Sequence, residues 1–135
     1  MIKKLVYTIT VAVTIFSCTD AVKKNPVTNS EVATTFIRAV LDNDFKTAKQ
    51  YLLNDETNQQ YFESFQHQYQ LKNETELSKY KNADIIINSL EPQNDTTTIV
   101  DYSNSYKKEM KNKLKLIRSS GKWLVDLKYT FAENQ

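Results

Sequence analysis

Ala83-Asp84-Ile85-Ile86-Ile87-Asn88-Ser89-Leu90-Glu91-Pro92-Gln93-Asn94-Asp95 is the stretch at which the apolar pattern of this chain changes period. Upstream, Tyr61, Phe65 and Tyr69 recur every fourth residue, the spacing of one helix face. Downstream, apolar residues recur every second position, the spacing of one strand face. Ala83 to Leu90, rich in isoleucine, is predicted as a first strand. Glu91 to Asp95 carries Pro, Asn and Asp and is predicted as the turn after it. Thr96 to Tyr106 is β-branched and aromatic and forms a second strand. In a third, Met110, Leu114 and Leu116 alternate with Lys111, Lys113 and Lys115. Ser119-Ser120-Gly121-Lys122 holds the single Gly of the chain and reads as a hairpin turn. The final strand is expected to carry Trp123, Val125, Leu127, Tyr129 and Phe131 on one side. Lys122, Asp126, Lys128 and Thr130 then fall on the other.

Working back towards the N-terminus, Thr28 and Glu31 have the spacing of a capping box, and Val27 can pack on Val32 as a staple. Ala33, Phe36, Ile37, Val40 and Leu41 share one face of a helix over about 29–42. Asp44 can cap a second, over 45–53, through Phe45, Ala48 and Leu52. A third helix is predicted from about Asn58 to Leu71. A short turn follows from Glu74 to Tyr80, with Asn73 and Glu76 as its capping box. Helices first and antiparallel strands after define an α+β class. N-terminal helices pack on a curled antiparallel sheet of three to four strands, a cone-shaped α+β roll.

A chain of 135 residues has room for one domain. Eight Tyr, six Phe and one Trp supply large buried areas to its core. A single Gly argues against phosphate-cradling loops, which need several. One Cys permits neither an internal disulfide nor a cysteine metal cluster. The formal charge of +2 resides in Lys3 and Lys4 of the first seventeen residues. Without them acid and base balance, and a neutral domain lacks the electrostatic footprint of a nucleic-acid binder.

Those same lysines open an address. Leu5 to Phe16 is uncharged and apolar but far shorter than the roughly 20 residues a membrane span needs, and it fits the central region of a signal peptide. Ile15-Phe16-Ser17-Cys18 resembles the lipobox of bacterial lipoproteins: branched apolar, variable, small, then cysteine. Phe16 is bulkier than the usual occupant of its place. The resemblance implies a diacylglycerol on the Cys18 sulfur, cleavage between Ser17 and Cys18, and acylation of the new amine. Several acyl chains at about 0.8 kcal/mol per buried methylene give a durable anchor. The competing readings are an ordinary signal peptide with a coincidental Cys, or a buried N-terminal strand. Thr19, rather than Asp, follows the cysteine, so outer-membrane placement facing the periplasm is expected. The chain thus divides into a signal peptide (1–17), a lipidated tether (18–27) and the α+β domain (28–132).

The domain's element order resembles the nuclear-transport-factor-two-like cone, also called the cystatin-like α+β roll. Within it, the chain is most similar to small envelope lipoproteins described as lumazine-binding-like. The carrying residues are Phe36 to Val40, Asp44-Phe45 with Ala48 and Tyr51-Leu52, Ile85 to Ile87, Leu116-Ile117, and Gly121 to Asp126. The resemblance covers about 27–132 and implies a pocket between sheet and helices. Some members of that family catalyse there with an aspartate or an aspartate–histidine pair; others bind a ligand or a protein, and fold alone does not decide.

Candidate chemistry is sparse. His67 falls between the polar Gln66 and Gln68, away from the helix's apolar stripe, so a surface histidine is expected rather than a general base. Asp101 sits between Val100 and Tyr102 and is expected to face outward, as is Asp126. Tyr61, Tyr69, Tyr102, Trp123 and Tyr129 are either core or the lining of a pocket for a flat or apolar ligand. Lys111, Lys113, Lys115, Lys122 and Lys128 form either a solvated face that discourages edge pairing or a surface for an anionic partner. Asp95-Thr96-Thr97 resembles an O-glycosylation site of some bacterial envelopes. Neither a metal nor a cofactor is expected. The sequence therefore predicts a membrane-anchored, non-catalytic binding module for a small ligand or an envelope protein. The alternative is a cone-superfamily isomerase or hydrolase with a pocket carboxylate.

Overall fold

Thr28 caps the first helix, α1 (Asn29–Leu41): its hydroxyl accepts from Glu31 N–H, and the Glu31 carboxylate accepts from Thr28 N–H in return. The computed structural model describes residues 27–132. Ser17, Cys18 and the rest of residues 1–26, where the signal peptide and most of the lipidated tether are expected, lie outside the described residues. Val27 remains 66% exposed, so the expected staple on Val32 is weak at best.

α1 ends in a Schellman closure. Asn43 takes a left-handed φ of 59°, Asn43 N–H donates to Val40 C=O, and Asp44 N–H donates to Ala39 C=O. Asp44 then caps α2 (Phe45–Lys49) by accepting from Thr47 N–H. α3 (Glu56–Gln70) is capped by Asp55 and α4 (Glu74–Lys81) by Asn73. Arg38 ties α1 to the end of α4, donating to the carbonyls of Lys81 and Ala83 at 3.0 and 2.8 Å, where a cation is favourable.

Four strands follow in a meander, β1 (Ile85–Asn94), β2 (Thr97–Asn104), β3 (Lys107–Ser119) and β4 (Lys122–Asp126), paired antiparallel in the order β1-β2-β3-β4. The fold is α+β, with helices against an open four-stranded sheet. Cross-strand pairs Thr98–Leu116, Val100–Leu114 and Leu116–Val125 face the helices. Ser120 and Gly121 both take positive φ, 49° and 77°, which is what a two-residue hairpin of the I′ kind needs. The β4 edge of the sheet is covered. At β4, Leu53 N–H donates to Val125 C=O and Val125 N–H donates to Tyr51 C=O, so the α2–α3 connection covers it. β1 is an edge strand and carries Pro92.

Three expectations about the strands are corrected. First, Glu91 to Asn94 is strand rather than turn; the turn lies at Asp95-Thr96. Proline is tolerated there because the edge has no outer neighbour to receive its missing N–H. Second, Met110 is 50% exposed. A register shift after Tyr102 leaves residues 108–111 opposite Ser103 alone, so Met110 keeps the side of Leu114 and lines the same cavity but has no cross-strand partner to cover it. Third, the last strand stops at Asp126, and α5 (Leu127–Ala132) replaces its second half. The cause is Asn58, fully buried on α3, whose Oδ1 accepts Leu127 N–H at 2.7 Å. Asp126 Oδ1 accepts Lys128 N–H at 3.2 Å. Both amides are thereby taken by side chains, and β4 turns into a helix.

Phe45 is the centre of the core. It is 4% exposed, and its ring meets Phe62, Phe65 and Tyr69 edge-on at 5.7, 5.8 and 5.5 Å, the preferred aromatic geometry. Phe45→Ala is therefore expected to lose about 3–5 kcal/mol, measured by denaturant unfolding, and Phe45→Leu distinctly less. A loss below about 1 kcal/mol for the alanine variant contradicts this assignment of the core.

Candidate functional site

The meander leaves a concavity where β2 and β3 diverge from the helices. α1 supplies Phe36, Ile37, Val40 and Leu41 to its wall, and Leu114 of β3 joins them. α3 contributes Phe65 and Tyr69, and α5 contributes Leu127, Thr130 and Phe131. The cavity measures about 280 Å³, the low end of the roughly 300–1,000 Å³ typical of ligand sites. Because α5 forms one wall, the strand-to-helix switch at Asp126 is a condition for the cavity.

Polar groups are few and concentrated. Tyr102 points into the cavity, and its hydroxyl has no hydrogen-bond partner among the described residues; burial alone pushes its phenol up to about 12. It is a neutral donor and acceptor in the physiological range. Tyr69 donates to Leu41 C=O at 3.3 Å, and burial together with the neighbouring Tyr80 raises its phenol further. Asn104 and Asn112 lie on the sheet wall. Asn104 Oδ1 is occupied by Tyr106 N–H and Lys107 N–H, leaving its amide hydrogens for other partners. At the rim, Lys72 and Lys107 approach the same Glu76 oxygen at 3.6 and 3.4 Å. Hydrogen bonds from Lys107 to Tyr80 and Glu76 hold its ammonium above the ordinary lysine value. Among the described residues, those lining the cavity include no carboxylate and no imidazole.

Of the five aromatic residues predicted to line a pocket, Tyr69 and Tyr102 do so. Tyr61 instead stacks on Phe131 at 5.1 Å, behind the wall. Trp123 lies in a separate depression of about 420 Å³ with Tyr51, Val27 and Lys122. Tyr129 sits on α5 rather than on a strand, because of the correction above. Lys72, Lys107 and Asn104 were not singled out by sequence. Lys72 and Glu76 do show the four-residue spacing of an ion pair, but Lys107 reaches them only through the fold.

His67 is exposed, in line with its spacing. Asp101 accepts from Asn88 Nδ2 at 2.8 Å on the sheet's outer side and is paired in register with Lys113. Lys111, Lys113, Lys115 and Lys122 share that outer side by alternation, whereas Lys128 belongs to α5. Thr96 is exposed at the β1–β2 turn.

Asp126 is a second correction of substance. It does lie on the outer side, beside Lys115 in register, yet it is only 6% exposed. The N-terminus of α3 packs over it: Asn58 Nδ2 donates to it at 3.3 Å, and Lys115 and Lys128 approach at 3.8 and 3.7 Å. Lys128 also binds Asp55 at 2.7 Å. Two carboxylates meet two ammonium groups, so the cluster is neutral and internally satisfied, a brace between α3, α5 and the sheet rather than a reactive centre. Among the described residues no group of three or more His, Cys, Asp and Glu is placed to hold a metal ion, and no helix is long and apolar enough to cross a membrane. No family model, curated protein or solved structure matches the chain.

The brace makes stability depend on acid. Hydrogen bonds from Lys128 and Asn58 lower the Asp55 carboxyl from 3.8 to about 2. A carboxyl depressed by folding stabilises fully above its unfolded value and loses that contribution as pH falls through the folded one. Unfolding midpoints should therefore decline between pH 3.8 and about 2, and Asp55→Asn should flatten that segment while lowering stability at neutral pH. Parallel pH profiles for the two proteins contradict the assignment.

Proposed function

We propose that this chain is a bacterial envelope lipoprotein, tethered through Cys18 to the outer membrane and facing the periplasm, whose domain is a non-catalytic binding module for a small ligand. The observation that carries the binding reading is the apolar cavity with the Tyr102 hydroxyl, unpartnered among the described residues, in its wall. A concave apolar site with few polar groups suits a small molecule better than a protein surface, which is broad and flat. Among the described residues the lining offers no carboxylate or imidazole as a general base, which favours binding over the isomerase or hydrolase alternative. The open four-stranded sheet with helices packed against it supports the likeness to a cone-shaped roll. The lipid anchor rests on the sequence alone, on a lipobox-like Ile15-Phe16-Ser17-Cys18 after a basic and apolar leader.

Two measurements test the two halves. Intact mass of the chain isolated from bacterial membranes should show a mature protein beginning at Cys18 with added acyl mass, and Cys18→Ser should abolish both the mass and the membrane fractionation. A membrane-bound serine variant, or an unacylated wild-type chain, defeats the anchor. For the cavity, indole at about a hundred times its dissociation constant should stabilise the fold by about 2.7 kcal/mol, visible as a raised Tm. No stabilisation by indole, naphthalene or a medium-chain alcohol defeats the binding reading.

A further inference from the structure

Polarity changes in order along the sheet wall of the cavity. The pair Val100–Leu114 is fully buried and apolar. Next in register come Tyr102 and Asn112, a phenol and a carboxamide, and then Asn104 with Lys107. Apolar, hydrogen-bonding and cationic groups thus follow one another from the floor to the rim. An amphiphilic molecule has the same order of groups.

The cationic end is built rather than incidental. Lys72 Nζ stands 5.9 Å from the Tyr69 ring centroid and 5.6 Å from that of Tyr80. Lys107 Nζ stands 5.4 Å from the centroids of both Tyr80 and Tyr106. The electron-rich ring faces hold both ammonium groups in place. The side chains are 29% and 34% exposed, so much of each is withdrawn from water, where a charge acts more strongly than in bulk solvent. One carboxylate, Glu76, answers two ammonium groups. Arg38 and Asp42 nearby neutralise each other at 3.1 Å, and Lys79, 5.5 Å from the Tyr106 ring centroid, adds a further cation. Among these described residues cations outnumber carboxylates at the rim, beside an apolar cavity too small for a two-chain lipid.

We propose that the cavity takes a small monoanionic carboxylate with an apolar body. Its carboxylate lodges between Lys72 and Lys107, and its body lies against Phe36, Leu114 and Phe131. The inference rests on the cavity-binding reading above and adds the charge and class of the ligand. Tyr102 and Asn112 face the middle of such a molecule and set its orientation.

The test is calorimetric titration of the cell-processed full chain in phosphatidylcholine nanodiscs, with empty discs as the blank. The probes are 4-phenylbutyrate and its neutral isostere 4-phenylbutyramide. The acid should bind about tenfold or more tightly than the amide. Lys72→Gln and Lys107→Gln should each weaken the acid by about three- to tenfold and leave the amide unchanged. Glu76→Gln, which removes the competing carboxylate, should tighten the acid. Because these changes have opposite signs, a general loss of folding cannot imitate them. Equal binding of acid and amide, or indifference to all three substitutions, overturns the anionic assignment and leaves the cavity reading standing. Binding of neither probe overturns both.

Discussion

One buried carboxamide sets the shape of the C-terminal half. Asn58 is fully buried, accepts Leu127 N–H at 2.7 Å, and donates to Asp55 and Asp126 at 2.7 and 3.3 Å. An amide group buried without partners costs about 1–3 kcal/mol, so the pattern of donors and acceptors around Asn58 is tightly specified. By capturing Leu127 N–H it withdraws that group from the sheet ladder and ends β4. The chain then folds over as α5, and Phe131 comes to rest on Tyr61 and Phe65 at 5.1 and 6.2 Å. Without that turn the cavity has no wall on the α5 side.

What could be seen in the sequence follows from how local each cause is. The Thr28–Glu31 capping box, the Asn73 cap and the Asp44 cap are set within three residues, and each lies where its spacing places it. The period change after Tyr80 separates the four N-terminal helices from the strands, because burial on one face imposes the period. The end of β4 was not legible, since its cause lies 69 residues earlier in the chain. The alternation of Trp123, Val125, Leu127, Tyr129 and Phe131 imitates a strand, and only a tertiary hydrogen bond overrides it. Asp126 was placed on the right side of the sheet but with the wrong exposure, because alternation tells direction and not what packs on top. Pro92 has the local chemistry of a turn, whereas a place on an edge strand is a property of the whole sheet.

The candidate site divides in the same way. Tyr69 and Tyr102 were legible as aromatic residues with hydroxyls on inward faces. Lys72 and Lys107 were not, because they meet only after α3, α4 and the β2–β3 turn are assembled around Glu76. Asn104 combines both levels. Its Oδ1 closes the turn locally by accepting from Tyr106 and Lys107, and in doing so it fixes the residue that brings positive charge to the rim. Structure and prospective function meet in α5: the brace of Asp55, Asp126 and Lys128 holds its start, and the cavity is bounded by its end.

Amide hydrogen exchange at Leu127, in the wild-type full chain and in Asn58→Ala, tests this dependence most directly. The account predicts strong protection in the wild type. In the variant it predicts a loss of protection of about 2 kcal/mol at Leu127 and through α5, with the amides of Val100 and Leu114 much less affected. A Leu127 amide that exchanges equally slowly in both proteins would show that something other than the Asn58 carboxamide turns the chain there, and the account would fail at its centre.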